Sequence, residues 1–372
     1  MSELKPFVVL AAGGTGGHIF PAEALARELL GRGYKVALIT DRRGSVFGSD
    51  LLVPIYRIRA RALTGGVWGK IRSVIEMGVG FLQARWHLSQ LRPMVVVGFG
   101  GYPSVPTLYA ASQLKIPIIL HEQNAILGRA NHALMKKARI IATSFPQVQG
   151  LDAPDDVRLV CTGNPVRPAF VALRAKPYAG LDENGPFKIL VLGGSLGARV
   201  FSSVVPRALG LLPEHLRRRI VLAQQCRPEN IESARAAFAA AGLDAELSTF
   251  FHDVPERMAE SHLVIGRAGG STIAELTVVG RPSILVPYAG GHVGEQTANA
   301  EALAEAGGAW LIPEQAFTPE SLSIRLESLM VLPSSLTKTA AAARTWGKVG
   351  AVDSLADCVA ALVKSSTSFL GI

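Results

Sequence analysis

Cysteine is nearly absent: three residues in 372, Cys161, Cys226 and Cys358, lie far apart. They offer neither metal-ligand spacing nor a disulfide framework, which favours a reducing compartment. Apolar runs are short, and none approaches the roughly 18 residues that a membrane span needs. The N-terminus lacks the basic segment, apolar run and cleavage site of a secretory signal. Two nucleotide-binding motifs are missing as well. There is no G-x-x-x-x-G-K-[ST] loop, and position 19 is Ile where a dinucleotide fingerprint has Gly. Only Asp41 stands near the end of the second predicted strand, so a dinucleotide oxidoreductase is poorly supported. No H-x-x-x-H or cysteine pair suggests a metal centre. Acidic residues are short in the first half alone. Residues 1–165 carry 19 Lys+Arg against 10 Asp+Glu and the remainder 19 against 19, so the net charge of +9 belongs to the first half. Nucleic acid, an anionic membrane or a phosphorylated substrate could each use that excess. A nucleic-acid partner is not expected, because no recognisable module interleaves basic and aromatic residues.

What is plentiful is glycine, 38 residues, in a chain that is 49% hydrophobic. That composition suits α/β domains with buried parallel strands, and the length suits two of them. The organising stretch is Ala11-Ala12-Gly13-Gly14-Thr15-Gly16-Gly17-His18. It follows the strand Phe7–Leu10 and precedes a helix predicted over 20–30. A strand, a glycine turn and a helix N-terminus make a place for an anion or sugar-phosphate. His18 is the one titratable side chain in this turn; it reads either as a structural histidine or as a base.

Further strands are predicted at 35–40, 54–58, 95–98, 116–120, 139–143 and 157–161. Phe99-Gly100-Gly101-Tyr102 is a second glycine turn at a strand end, where open α/β sheets bind ligands. His121-Glu122-Gln123-Asn124 follows the 116–120 strand and reads as a site lining or a structural loop. Residues 63–70 form a glycine-rich loop with Trp68, and a helix with Ile71, Val74, Ile75, Val79, Leu82 and Trp86 comes after it. With Lys70, Arg72 and Arg85, this segment is either an ordinary packed helix or an interfacial patch on anionic lipid. Residues 162–168 read as a linker.

The design then repeats. A strand at 188–192 runs into Gly193-Gly194-Ser195-Leu196-Gly197-Ala198, so two similar α/β domains facing one another are expected. Strands follow at 219–224, 245–250, 262–265 and 283–286. Ser271 or Thr272 is expected to cap the next helix, and Glu275, one turn inside it, could accept hydrogen bonds from ribose hydroxyls or be a surface residue. Glu295, Gln296 and Asn299 share a helix start. A helix at 352–363 could bridge the domains, and 364–372 reads as a fraying tail. Two glycine-lined sheets with His18, His121, Glu122, Asn124, Arg167, Glu275 and Gln296 suit group transfer from a nucleotide-activated donor. Histidine is the natural base, and helix N-termini are natural partners of a leaving diphosphate.

Five segments carry a specific likeness: Gly13–Pro21, His121–Asn124, Gly163–Arg167, Gly193–Ala198 and Arg267–Leu276. In this order, over essentially the whole chain, they resemble the bacterial MurG family of glycosyltransferases. The resemblance implies a GT-B fold, with two Rossmann-like parallel-sheet domains facing a central cleft and a C-terminal helix bridging to the first. The implied domains are an acceptor and membrane-associating domain (1–165), a UDP-GlcNAc donor domain (166–350) and a bridging helix with its tail (351–372). The implied activity is inverting, metal-independent transfer of N-acetylglucosamine from UDP-GlcNAc to the C4 hydroxyl of MurNAc in undecaprenyl-diphospho-MurNAc-pentapeptide, lipid I. The products are lipid II and UDP, for peptidoglycan synthesis; a UDP-sugar transferase with another acceptor is the alternative. The implied location is peripheral, on the cytoplasmic face of the plasma membrane, with the anionic membrane surface and other cell-wall synthesis proteins as partners.

By the same resemblance, His18 and Glu122 are catalytic, and Thr15, Gly16, Gly17, Tyr102 and Asn124 bind the acceptor. Arg167, Ser195, Phe251, Glu275, Gln296 and Glu295 bind the donor; no cofactor or metal is implied. Leu196 departs from the family's usual Gln, and the Ala-Gly-Gly-His-Val-Gly-Glu stretch at 289–295 is less polar than is usual there.

Overall fold

The computed structural model describes residues 5–13, 16–42, 51–62, 66–194, 197–288, 290 and 294–370. The chain forms two compact units, Met1–Arg167 with Val349–Ile372, and Pro168–Lys348. Both are parallel sheets covered on two faces by helices, the arrangement that nearly continuous apolar strands require.

The first sheet contains β1 (Phe7–Ala11), β2 (Lys35–Thr40), β3 (Ile55–Arg57), β4 (Val95–Gly98), β5 (Ile118–Glu122), β6 (Ile140–Thr143) and β7 (Arg158–Cys161), in the order β3-β2-β1-β4-β5-β6-β7. Alternation along β1 assigns its faces. Val8 and Leu10 pack with Leu25 and Leu29 of the helix Gly16–Gly31 and with Leu355 and Val359 of the final helix. Val9 and Ala11 pack on the opposite side with Ala84 and Leu88 of the helix Val67–Leu91 and Leu108 of the helix Ser104–Gln113. The final helix, Ala351–Leu370, thus completes the first unit's core, with Ala351, Leu355, Val359 and Val363 buried at four-residue spacing. It continues to Leu370, past the expected end at 363.

The second sheet contains β8 (Phe187–Leu192), β9 (Ile220–Gln225), β10 (Ala245–Ser248), β11 (Leu263–Gly266), β12 (Ser283–Leu285) and β13 (Ala309–Leu311), in the order β10-β9-β8-β11-β12-β13. β13 is three residues long, too short for its alternation to be read from sequence. In each sheet the strand order turns back once, between β1 and β4 and between β8 and β11. At such a switch point the two connections leave in opposite directions and open a crevice beyond the carboxyl ends of the strands. The glycine turns after β1, β4 and β8 stand at these two places.

Among the described residues no helix is long and apolar enough to cross a membrane. The helix Val67–Leu91 is unusual in another way. Its buried stripe is small, Ser73, Gly80 and Ala84 with Leu88. A Cβ at position 80 would lie 1.9 Å from the Arg59 carbonyl oxygen, so the glycine permits close packing. Its large apolar residues Val67, Trp68, Ile71, Val74, Ile75, Leu82 and Trp86 face outward. Val67–Lys70, expected as loop, is its first turn.

Candidate active site

The first unit's site is built where β1, β4 and β5 end. The helix after β1 begins at Gly16, four residues before the expected start, so His18 sits in its first turn. Thr15, expected at the acceptor, lies outside the described residues; Gly16 and Gly17 open the helix. Gly100 and Gly101 after β4 both have positive φ, +80° and +73°. A Cβ on Gly101 would lie 3.2 Å from His18 Cδ2 and 3.2 Å from the Gly13 carbonyl oxygen. The two glycine turns therefore meet around the imidazole. Tyr102 donates its hydroxyl to Asp41 Oδ2 at 3.3 Å, and Asp41 is buried directly beyond β2.

β5 runs two residues further than expected, so His121 and Glu122 belong to the sheet. Alternation then separates them. His121, fully buried, lies on the face of the helix that carries His18, with its ring 5.5 Å from that of Phe99. Glu122 faces the other way. Its Oε1 accepts from the Asn124 amide N–H at 3.0 Å and from Asn124 Nδ2 at 3.4 Å. Its Oε2 accepts from the Gly128 N–H at 2.9 Å and from Asn131 Nδ2 at 2.8 Å. Such a carboxylate organises the loop and the helix Arg129–Leu134; this geometry offers no free oxygen lone pair for proton transfer.

Gln123, to which sequence reasoning gave no role of its own, completes the arrangement with the expected His121. Gln123 accepts at Oε1 from His18 Nδ1, 3.1 Å away, and donates from Nε2 to His121 Nδ1 at 2.9 Å. His121 Nε2 donates to the Gly163 carbonyl at 3.1 Å. Burial lowers the pKa of His18, opposed by the Gln123 hydrogen bond, the Glu122 charge and the Phe99 carbonyl. Burial lowers His121 further, to about 4. Both rings are neutral at pH 7. Gln123 was legible only as part of a polar run at a strand end; its partners are 105 residues away and two residues away.

Arg167 ends the first unit, and its guanidinium lies over the Phe20 ring, 5.0 Å from the centroid. Sequence reasoning assigned it to the second domain.

In the second unit the expected donor residues follow the carboxyl ends of β8, β10, β11 and β12. Ser195, beyond β8, lies outside the described residues, as do Leu196 and most of 289–295. Phe251, after β10, is buried beneath Arg257, whose guanidinium is 4.4 Å from the ring centroid. The helix Gly270–Val279 begins behind Gly269, which has no side chain to cap it. Ser271 and Thr272 therefore lie within its first turn and do not cap it as expected. Glu275 is half-buried on the second turn. Gln296 accepts the Tyr288 N–H at Oε1, 3.0 Å, which ties the helix Glu295–Glu305 to the strand end before it. Glu295 opens that helix.

Sequence reasoning also passed over Arg267. It donates from Nη1 to the carbonyls of Val286 (3.0 Å) and Pro287 (3.2 Å) and to Glu314 Oε2 (2.6 Å), and lies 5.3 Å from the Tyr288 ring centroid. It thereby joins the ends of β11 and β12. Buried Asn299 donates to the Ala268 carbonyl at 2.9 Å and holds the neighbouring loop. Among the described residues no three His, Cys, Asp or Glu side chains are grouped to hold a metal ion.

This geometry has counterparts in known proteins. Residues 8–143 match the glycosyltransferase family 28 N-terminal domain, and 188–355 match the family 28 C-terminal domain. The chain belongs to glycosyltransferase family 28. It is 58% identical to the UDP-N-acetylglucosamine–N-acetylmuramyl-(pentapeptide) pyrophosphoryl-undecaprenol N-acetylglucosamine transferase of Rhodospirillum centenum, over 95% of this chain and 93% of the relative. It is 52% identical to the enzyme of that name from Paramagnetospirillum magneticum, over 99% and 100%. The crystal structure of Acinetobacter baumannii MurG superimposes with a TM-score of 0.76 at 31% identity, covering 95% of this chain and 99% of that one. The two Rossmann-like units and the returning C-terminal helix are those of the GT-B fold. A glycotransferase of kitacinnamycin, 15% identical with a TM-score of 0.69, shares that fold.

Proposed function

We propose that this protein transfers N-acetylglucosamine from UDP-N-acetylglucosamine to the C4 hydroxyl of the N-acetylmuramyl sugar in undecaprenyl-diphospho-MurNAc-pentapeptide, forming lipid II and UDP. The observation that carries this reading is the identity of 58% across nearly the whole of both chains with a relative so named. The chemistry of the first unit supports it. With Nδ1 bonded to Gln123, neutral His18 has its lone pair on Nε2, beside the second glycine turn. His18 Nε2 takes the proton of the acceptor hydroxyl as that oxygen attacks C1 of the sugar. The C1–O bond to UDP breaks on the opposite face, so the anomeric centre inverts.

In this reading Gly16, Gly17 and Thr15 border the acceptor diphosphate, and Tyr102 and Asn124 line the acceptor side. Glu122 positions Asn124 and Asn131 and does not itself exchange protons. The leaving diphosphate is met by Arg167, by Ser195 and by the N-terminal end of the Gly270–Val279 helix. Phe251 borders the uracil, Glu275 accepts the ribose hydroxyls, and Gln296 with Glu295 contacts the sugar. No metal enters these steps.

The outward apolar stripe of the helix Val67–Leu91, beside Lys70, Arg72 and Arg85, suits an anionic membrane surface. We assign the protein to the cytoplasmic face of the plasma membrane, bound peripherally and without spanning it, where other cell-wall synthesis proteins are natural neighbours.

The test is transfer of labelled N-acetylglucosamine to a short-chain lipid I analogue in the presence of EDTA. Product is expected. Saturable UDP-N-acetylglucosamine binding without product would reject this acceptor.

A further inference from the structure

We propose that Gln123 and His121 act as positioning residues, forming an uncharged relay that holds His18 in its Nδ1–H tautomer and so keeps the Nε2 lone pair available. The proposal rests on His18 being the base, but the relay itself is read from the hydrogen-bond chain alone. Gln123 Nε2 lies 3.1 Å from the His121 carbonyl oxygen as well as 2.9 Å from His121 Nδ1. An amide oxygen placed there would face a carbonyl oxygen, two acceptors with no proton between them, so the amide nitrogen must occupy this position. The Gln123 oxygen is then directed at His18 Nδ1, which must carry the proton. His121 Nδ1 accepts, so its proton sits on Nε2 and is donated to the Gly163 carbonyl. Thr162 Oγ1 donates to that same carbonyl at 3.0 Å, and Asn131 Nδ2 donates to the His121 carbonyl at 3.2 Å. Only one assignment of tautomers and amide orientation satisfies every member.

The relay differs from a histidine–carboxylate pair in a way that matters. A carboxylate bonded to Nδ1 would orient the ring but also raise its basicity strongly. Glu122, whose charge acts on His18, is instead bonded to Asn124, Gly128 and Asn131. Gln123 orients the half-buried ring with a dipole, so His18 stays neutral until substrate delivers a proton. When Nε2 is protonated, the amide oxygen faces the new positive charge. The polarised amide N–H groups in turn strengthen the bond to His121 and through it the bond to Gly163. Charge is thus spread along the chain with no proton moving through it.

The experiment is long-range 1H–15N correlation spectroscopy on full-length protein labelled at its histidines, above the pH at which they titrate. The His18 signals are identified by their loss in His18→Gln. Wild-type protein is expected to show His18 protonated at Nδ1. Gln123→Met, close in volume but unable to bond, is expected to give a mixture of His18 tautomers. Its kcat should fall about tenfold or more, with the UDP-N-acetylglucosamine KM within about twofold of wild type. Gln123→Glu should restore part of the turnover, because a side chain of the same length can again accept from Nδ1. Wild-type His18 protonated at Nε2 overturns the proposal whatever the Gln123 variants do. So does Gln123→Met with an unchanged tautomer, whatever its turnover. Absence of transfer by wild-type protein would instead count against the function proposed above, while the spectrum still decides the relay.

Discussion

A histidine in a first helical turn would ordinarily be solvated and titrate near 6.5. His18 is half enclosed by two glycine turns, and the loss of hydration lowers its pKa. As the base, it should therefore support a kcat/KM that is level through neutral pH and falls only once the pH drops below the ordinary histidine range. A pH–rate profile checks this; an acid limb above pH 6.5 would assign the limb to another group. His18→Ala should lower kcat by about 100-fold or more while UDP-N-acetylglucosamine affinity changes little, since general-base removal acts on the transition state. His121 gives a stability prediction. Its folded pKa of about 4 lies below the unfolded value, so the unfolded chain binds more protons between the two. Its contribution is complete above about pH 6.5 and is lost progressively as pH falls toward 4. The loss amounts to about 3 kcal/mol in that window, and it should be smaller in His121→Gln. Denaturant titrations at several pH values measure it.

Two elements carry predictions of their own. The helix Val67–Leu91 turns small residues inward and leaves Trp68 84% and Trp86 61% exposed. Neither indole supports the core, so Trp68→Ser with Trp86→Ser should leave the unfolding midpoint unchanged. Partitioning onto vesicles containing anionic lipid should weaken several-fold, as lost apolar insertion requires. Partitioning equal to wild type would return this face to an ordinary solvent role. The second element is the C-terminal end of the helix Gly270–Val279. Arg281, fully buried, donates to the carbonyls of Val279 (3.1 Å), Gly280 (3.2 Å) and Ala259 (3.1 Å from Nε), and its desolvated guanidinium has a lowered pKa. No carboxylate pairs with it among the described residues; the negative ends of two helices do that work. Arg281→Met would leave those carbonyls unpartnered and should cost about 3 kcal/mol, read as a lower denaturant midpoint of the second unit.

At the scale of the whole molecule, the chain leaves the first unit at Arg167 and returns to it at Val349. The returning helix buries Leu355, Val359 and Val363 against the face of β1 that also carries the His18 helix. Each such side chain contributes about 1.5–3 kcal/mol, a large share of the stability of one domain. Removing residues 349–372 should therefore unfold the first unit selectively. The second, Pro168–Lys348, has its own core and should keep a cooperative transition and UDP-N-acetylglucosamine protection. Calorimetry of the truncated chain distinguishes this from a general loss of stability.

The sequence by itself determined the class of fold and the strand ends at which the candidate site residues stand. Strands such as Val95–Gly98 are short, apolar and bounded by glycine, and a parallel strand buried on both faces must read that way. The glycine turns marked the strand ends because only glycine allows the positive φ at positions 100 and 101 and the close approach to His18. What only the tertiary structure decided was which side chains meet. Extending β5 by two residues set His121 and Glu122 on opposite faces of the sheet, a consequence of its two-residue period. It separated a relay histidine from a loop-organising glutamate that look equivalent in sequence. The Arg167 contact with Phe20, the Gln123 bond across 105 positions and the buried cation at Arg281 were invisible for the same reason. Local patterns report which face a residue prefers, whereas partners are chosen by the packing of elements far apart in the chain.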